Sequence, residues 1–344
     1  MRSPHLRVAI VLLLAVALVA VFLRNVDLAA VGRQILHASP MWLAFSLLTM
    51  LVNLAIRAWR WQYLLEPIGH TRFGPAFRAT AVGFAASAVL PGRAGEVIRP
   101  YFLSRQQQNI TATGAFATVI LERLLDMVAV LTLLAVYVAF FAPAPDATNE
   151  VAFRAVKWGG TVAGAAAIVG LGVLFLLAGN PARLAESLAR LEAVLPSTLA
   201  GLLARVAEKF ATGLGAVRRP GRLAVSLLLS FPLWLSIAAG IWAVAVAFHL
   251  AVPFAGSFLV IALLTVGVAV PTPGAVGGFH EAFRVAATTF FGAAEAAAVG
   301  AAIVLHLFTV GPSLLLGLLF AAHEGLNLSR MRTLAEKADT EGTV

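Results

Sequence analysis

Arg93, Glu96 and Arg99 all fall within the stretch Leu90-Pro-Gly-Arg-Ala-Gly-Glu-Val-Ile-Arg99, which has apolar sequence on both sides. A guanidinium is a planar fork of donors that keeps its charge at physiological pH, the arrangement that a phosphate accepts. Gly92 and Gly95 let a ligand approach the backbone closely. A helix restarting after this break would aim its free N–H groups at the same place. The competing structural role is an Arg93–Glu96 ion pair that closes the turn.

Two further clusters follow. Glu122 and Asp126 are four apart and share a helix face, with Arg123 about 100° round from Glu122. They are placed either to neutralise Arg93 and Arg99 when a site is empty or to fix helix packing as ion pairs. About 180 residues after the first break comes a looser copy, Pro271-Thr-Pro-Gly-Ala-Val-Gly-Gly-Phe-His-Glu281. Both copies contain Pro-Gly-x-x-Gly and then a glutamate; the second supplies Pro273, Gly274, Gly277 and Glu281, with His280 and Arg284 beside them. Glu281 and Arg284 are spaced to pair locally, or to offer a proton-accessible carboxylate or a second contact to a ligand. His249 and His306 are isolated in sequence and read as packing residues. There is no His-Glu-x-x-His, Walker or Gly-x-Ser-x-Gly pattern. The expectation is therefore no catalytic residue, no metal and no cofactor.

The elements that must position these residues are membranous. Of the 344 residues 60% are hydrophobic and 12% charged, and the mean hydropathy is +0.92. That is far from a soluble composition. The net charge of +9 sits mostly between apolar runs, where it orients the chain and meets anionic lipid, and does not imply nucleic acid. The chain has no cysteine, which removes disulfide and thiol chemistry.

Val8 to Leu23 reads as an uncleaved first span and Met41 to Ile56 as a second. Arg57, Trp59, Arg60, Trp61 and Tyr63 then read as an interfacial belt. Ala76 to Leu90 and Gly95 to Ser104 are two short legs around the first break. Fifteen residues reach roughly 22 Å, less than the ~30 Å core of a bilayer, so the legs are expected to form a re-entrant hairpin. Ala112 to Phe141, Trp158 to Leu177, Leu223 to Phe248 and Ala296 to Ala322 are further spans. Phe254 to Val270 and Gly278 to Phe291 flank the second break. Residues 180–222 carry an amphipathic segment, with Leu199, Leu202, Leu203, Val206, Phe210, Leu214 and Val217 at helical spacing.

The expected fold is an all-α polytopic membrane protein with about six spanning helices and two re-entrant hairpins, arranged as an inverted repeat. Residues 1–150 form one half and 151–326 the other, with the insertion at 180–222; 327–344 form a polar tail. Lysine and arginine counts place both termini in the cytoplasm: residues 57–78 hold four and 180–222 hold seven. Proline–glycine breaks in both halves of a membrane chain point to a substrate site where the halves meet.

Four segments together resemble the flippase-like, lysylphosphatidylglycerol synthase transmembrane-region family. They are Asn53-Leu-Ala-Ile-Arg-Ala-Trp-Arg-Trp61, the Leu90–Arg99 break, Glu122-Arg-Leu-Leu-Asp126 and the Pro271–Glu281 break. The resemblance implies a lipid translocase of the bacterial inner membrane, moving a lipid with an anionic or modified polar headgroup held at the two breaks. In the family's synthases, aminoacyl transfer belongs to a separate soluble domain. Only about twenty polar residues follow Ala322 here, so the expectation is the membrane part alone. With no ATP loop, movement would be downhill or coupled to an ion. Membrane lipids are the expected partners, with a lipid-modifying synthase or a second copy of the chain as candidate protein partners. The alternatives are a membrane-embedded transferase acting on a lipid-linked sugar or phosphate, with Glu96 or Asp126 as its carboxylate, and a non-transporting subunit of a lipid synthase.

Overall fold

A computed structural model describes residues 19, 20, 22, 23, 26–90, 93–142, 150–179, 214, 219–270 and 272–323, with side chains of the sixth helix described to Val173. Most of Val8–Leu23, Pro91, Gly92, Pro271, nearly all of the amphipathic segment and the polar tail lie outside the described residues. Among those described there are ten α-helices and no strand: α1 Leu28–His37, α2 Pro40–Leu65, α3 Phe73–Val89, α4 Gly95–Gln106, α5 Ala112–Phe140, α6 Glu150–Gly179, α7 Pro220–Ala247, α8 Gly256–Gly267, α9 Gly278–Val285 and α10 Glu295–His323.

Four of these, α2, α6, α7 and α10, are long and apolar enough to cross a membrane. Their outer faces stay apolar: Ile168 and Val169 on α6, Leu228 on α7, and Leu307, Leu315 and Leu319 on α10 are all exposed. Continuous exposed apolar surface of this kind matches lipid rather than water. Helix α5 is equally long at 29 residues, but Glu122, Arg123 and Asp126 interrupt its apolar course.

Both Pro-Gly-x-x-Gly segments are helix breaks between short legs that pack on each other, α3 against α4 and α8 against α9. Helix α8 has only 12 residues, roughly 18 Å, which is too short to cross a ~30 Å core alone. In each hairpin two glycine backbones touch. A Cβ on Gly95 would overlap the Gly83 carbonyl, and a Cβ on Gly278 would overlap that of Gly267. The breaks share a backbone feature as well: the second residue after the proline has positive φ in both, Arg93 at 57° and Ala275 at 57°.

Small and polar residues join the long helices, as expected where lipid removes the hydrophobic drive between them. Ser46 Oγ on α2 donates to the Gly240 carbonyl of α7 at 2.9 Å. Gly317 of α10 lies against the backbone of Ala81 in α3. One core gathers α7 to α10 around Leu259, Phe283 and Leu305. A second gathers Trp61, the alanine-rich face of α3, and Ile98 and Leu103 of α4. Helix α1, not anticipated from sequence, is capped by Asp27, whose carboxylate accepts from the Ala29 and Ala30 amides, and it packs on α10.

The second span is longer than expected, because α2 runs on to Leu65. That corrects the interfacial belt. Trp59 is exposed, but Arg60 and Trp61 are fully buried. The helix simply continues past the apolar run, and α5 supplies carboxylates that compensate Arg60 in the interior.

Candidate functional site

Helices α2 and α5 meet through an ion-pair layer. Arg60 Nη1 donates to Asp126 Oδ1 at 2.7 Å and to Ser230 Oγ of α7 at 2.6 Å. Its Nη2 lies 3.4 Å from Glu122 Oε1. Trp234 Nε1 of α7 donates to the same Asp126 oxygen at 3.0 Å. Glu122 turns its other oxygen to Arg99 Nη1 of α4, at 2.8 Å. Buried charge is costly unless paired and hydrogen-bonded, and here each carboxylate is held by two or more partners.

In front of that layer lies a cavity of about 290 Å³ lined by Arg57, Arg93, Glu96, Arg99 and Arg123. Arg57 is oriented by Asn53, whose Oδ1 accepts from Nε at 2.9 Å and whose Nδ2 donates to the Leu233 carbonyl of α7. Arg93 and Arg123 each stand 3.8 Å from Glu96 Oε1. Arg57 and Arg123 reach 3.8 and 3.7 Å from Asp126 Oδ2. Through both layers, five guanidiniums face three carboxylates, a net of two positive charges.

Arg99 is the most constrained of the five. Its guanidinium lies 3.7 Å over the Trp61 ring, which Trp61 Nε1 fixes by donating to Thr118 Oγ1. The bare Cα of Gly83 makes room for it, since a Cβ there would sit 2.7 Å from Arg99 Cβ. The residue is 4% exposed, yet Nε and Nη2 have no acceptor among the described residues. Arg123 Nε is likewise buried without a hydrogen bond. In the layer behind, Arg60 Nε and Asp126 Oδ2 are also buried without a hydrogen bond among the described residues, and unmet charged groups of this kind call for a partner.

The second break closes the cavity from the opposite hairpin. Thr272, Gly274 and Ala275 line it, and Arg93 Nη2 donates across to the Val268 carbonyl at 3.2 Å. Behind Gly274, His306 of α10 holds the break. The Gly274 carbonyl can only accept, so His306 Nε2 donates to it, at 2.7 Å. His280 stacks against His306 with ring centroids 4.5 Å apart, and its Nδ1 accepts from the Gly277 amide.

Residues 7–317 match the family described as the lysylphosphatidylglycerol synthase TM region. The chain belongs to this family. No curated protein sequence matches it.

In this family member, the residues singled out from sequence separate into groups. Arg93, Gly95, Glu96, Arg99, Arg123 and Gly274 line one cavity. Glu122 and Asp126 stand behind its wall, bonded to Arg99 and Arg60 rather than to Arg93. Gly92 lies outside the described residues. Pro273 and Gly277 shape the second break, in its short 3-10 turn and at the start of α9 respectively, and neither lines the cavity. Glu281 and Arg284 are not brought to the site. Arg284 Nε donates to Glu281 Oε2 at 2.8 Å, and Nη1 to Glu295 Oε1 at 2.8 Å, so the pair ties α9 to α10. His306, which looks isolated in sequence, is in fact part of the second break. Arg57, Arg60 and Asn53 were missed as site residues. The available signal was their spacing: Asn53, Arg57, Arg60 and Trp61 recur at helical intervals on one face.

Proposed function

We propose that this chain is a lipid translocase whose cavity takes an anionic headgroup while the acyl chains stay in lipid beside it. The observation that carries this reading is Arg99, buried in the cavity wall between two helix breaks, with Nε and Nη2 without a hydrogen-bond partner among the described residues. An ionisable group at membrane depth marks a functional site by default, and guanidinium suits phosphate. The reading involves no covalent chemistry. It is supported by the state of the carboxylates: Glu122 and Asp126 are held by arginines, and Glu96 lies between Arg93 and Arg123.

We further read the two hairpins as halves of an inverted repeat, flanked by six spans that include α5 and the first apolar run. Support comes from the matched positive-φ residues Arg93 and Ala275, and from the matched glycine contacts Gly83–Gly95 and Gly267–Gly278. In this reading the protein sits in the bacterial inner membrane with both termini cytoplasmic. The seven basic residues of 180–222 support that orientation. Arg57 and Arg60 do not, since they belong to the site.

The test is lipid movement in proteoliposomes, with wild type beside Arg93→Ala. Arg93 is half exposed, so its loss is expected to stop movement while the protein inserts and folds. Normal movement by a well-folded Arg93→Ala protein would remove the assignment.

A further inference from the structure

Resting on that reading, we infer that the headgroup is a phosphomonoester: a terminal, dianionic phosphate carried directly on the lipid. Phosphodiester headgroups bind more weakly, and aminoacylated, cationic ones are excluded.

Charge is the first argument. The cluster carries a net of two positive charges. A phosphomonoester carries about −1.5 to −2 at neutral pH and presents three terminal acceptor oxygens, whereas a diester carries one negative charge and two such oxygens. Among the described residues, four guanidinium nitrogens of the cluster are buried without a hydrogen-bond acceptor: Nε and Nη2 of Arg99 and Nε of Arg123 at the cavity, and Nε of Arg60 behind it.

The second argument concerns what the site lacks. An ammonium needs a carboxylate to receive it, and each carboxylate here already lies beside two or more guanidiniums. Glu122 is bonded to Arg99 and paired with Arg60. Asp126 Oδ1 is bonded to Arg60 and Trp234, and Oδ2, which accepts no hydrogen bond among the described residues, lies 3.8 and 3.7 Å from Arg57 and Arg123. Glu96 lies 3.8 Å from each of two arginines. A lysyl headgroup would bring its positive charge among four guanidiniums. Like-charge juxtaposition of this kind discriminates strongly at a desolvated site.

The third argument is the rest of the wall. Thr272 Oγ1 donates to the Val276 carbonyl, Thr309 Oγ1 to that of Leu305, and Ser313 Oγ to that of Val310. Asn53 is taken by Arg57, Leu233 and Ser236. The O–H donors of Thr272, Thr309 and Ser313 are therefore already used within the protein, which leaves Ser87 as the remaining hydroxyl donor on the wall among the described residues. The volume of about 290 Å³ is at the small end of ligand sites, ~300–1,000 Å³. It suits a compact headgroup.

Inorganic phosphate has the same chemistry, so the test must separate the two sources. The full chain in detergent micelles would be titrated calorimetrically with short-chain phosphatidic acid, phosphatidylglycerol, lysyl-phosphatidylglycerol and inorganic phosphate. At about pH 8, phosphatidic acid should bind about tenfold or more tighter than phosphatidylglycerol, the effect of one further charge-assisted hydrogen bond. That gap should close near pH 5.5, because the second phosphate proton returns around pH 6. Lysyl-phosphatidylglycerol should not bind, and Arg123→Gln should remove most of the preference. Equal or tighter binding of phosphatidylglycerol would overturn the monoester inference and leave the anionic-headgroup reading standing. Inorganic phosphate binding as tightly as phosphatidic acid would overturn the lipid as the source. Binding of none of the four would overturn both readings.

Discussion

Arg60 and Asp126, 66 residues apart in sequence, are joined by a 2.7 Å hydrogen bond at a point where Arg60 is 0% and Asp126 4% exposed. This bond connects α2 to α5, and Ser230 and Trp234 extend the connection to α7. The site stands on a scaffold that is itself ionic. Removing one partner from such a pair strands buried charge and costs about 3–5 kcal/mol. Arg60→Met should lower stability by that order in detergent denaturation. Adding Asp126→Asn should recover part of the loss, because the buried Asp126 loses its short Arg60 bond in the single variant and keeps only the 3.8 and 3.7 Å contacts with Arg57 and Arg123 and the Trp234 bond. An Arg60→Met protein as stable as wild type would contradict the scaffold role.

Arg99 separates charge from geometry. Lysine keeps the charge but loses the planar fork and the stack on Trp61. Arg99→Lys should weaken headgroup binding by about 1.5–3 kcal/mol, roughly ten- to a hundredfold. Equilibrium titration with the lipid that binds wild type is the check. Unchanged affinity would mean that the free donors of Arg99 do not face the ligand.

The hairpins depend on close approach of glycine backbones. Gly95→Ala would drive a methyl into the Gly83 carbonyl and should cost about 1–3 kcal/mol, as overpacking does. Gly159→Ala on α6 is the matched control. Among the described residues nothing lies within 4 Å of its Cβ position, so it should be neutral or stabilise by about 0.5–1 kcal/mol through helix propensity. Thermal melting of the two variants side by side would decide. Equal effects would show that the hairpin contact is not specific.

His306 should act through the second break. His306→Ala removes the donor to the Gly274 carbonyl, and hydrogen exchange of the Ala275–Gly277 amides should rise while the α2–α7 amides are unaffected. His306→Gln, which can still donate, should restore part of the protection. Unchanged exchange in the alanine variant would leave the histidine as packing only.

Much of this arrangement is legible in the sequence, for identifiable reasons. Proline and glycine interrupt apolar helices in a local, readable way, so both breaks are visible in the sequence, and the short legs of the first follow from their length; at the second, the apolar run 254–270 alone does not show that α8 stops after 12 residues. Charges in apolar runs are equally conspicuous, and Arg93, Glu96, Arg99 and Arg123 do converge on one cavity. The partners of those charges are not legible, because pairing is set by how helices cross. Arg60 and Trp61 resemble a headgroup belt when apolarity ends at Ile56, and only the continuation of α2 to Leu65 turns them inward. Glu281 and Arg284 look like site residues by proximity to a break, but a nearby acid, Glu295, draws Arg284 away. His306 is 32 residues from Gly274, and no local pattern joins them.

The absence of cysteine makes the central claim directly testable. Ser87 is on the cavity wall, and Leu319 is exposed on the outer face of α10. Ser87→Cys and Leu319→Cys each introduce a single thiol. Each would be treated with a negatively charged thiol reagent and assayed for lipid movement in proteoliposomes, with and without anionic lipid present during labelling. Labelling at Ser87→Cys should stop movement and be slowed by the lipid, while labelling at Leu319→Cys should do neither. Complete labelling at Ser87→Cys with undiminished movement would contradict passage of the headgroup through this cavity.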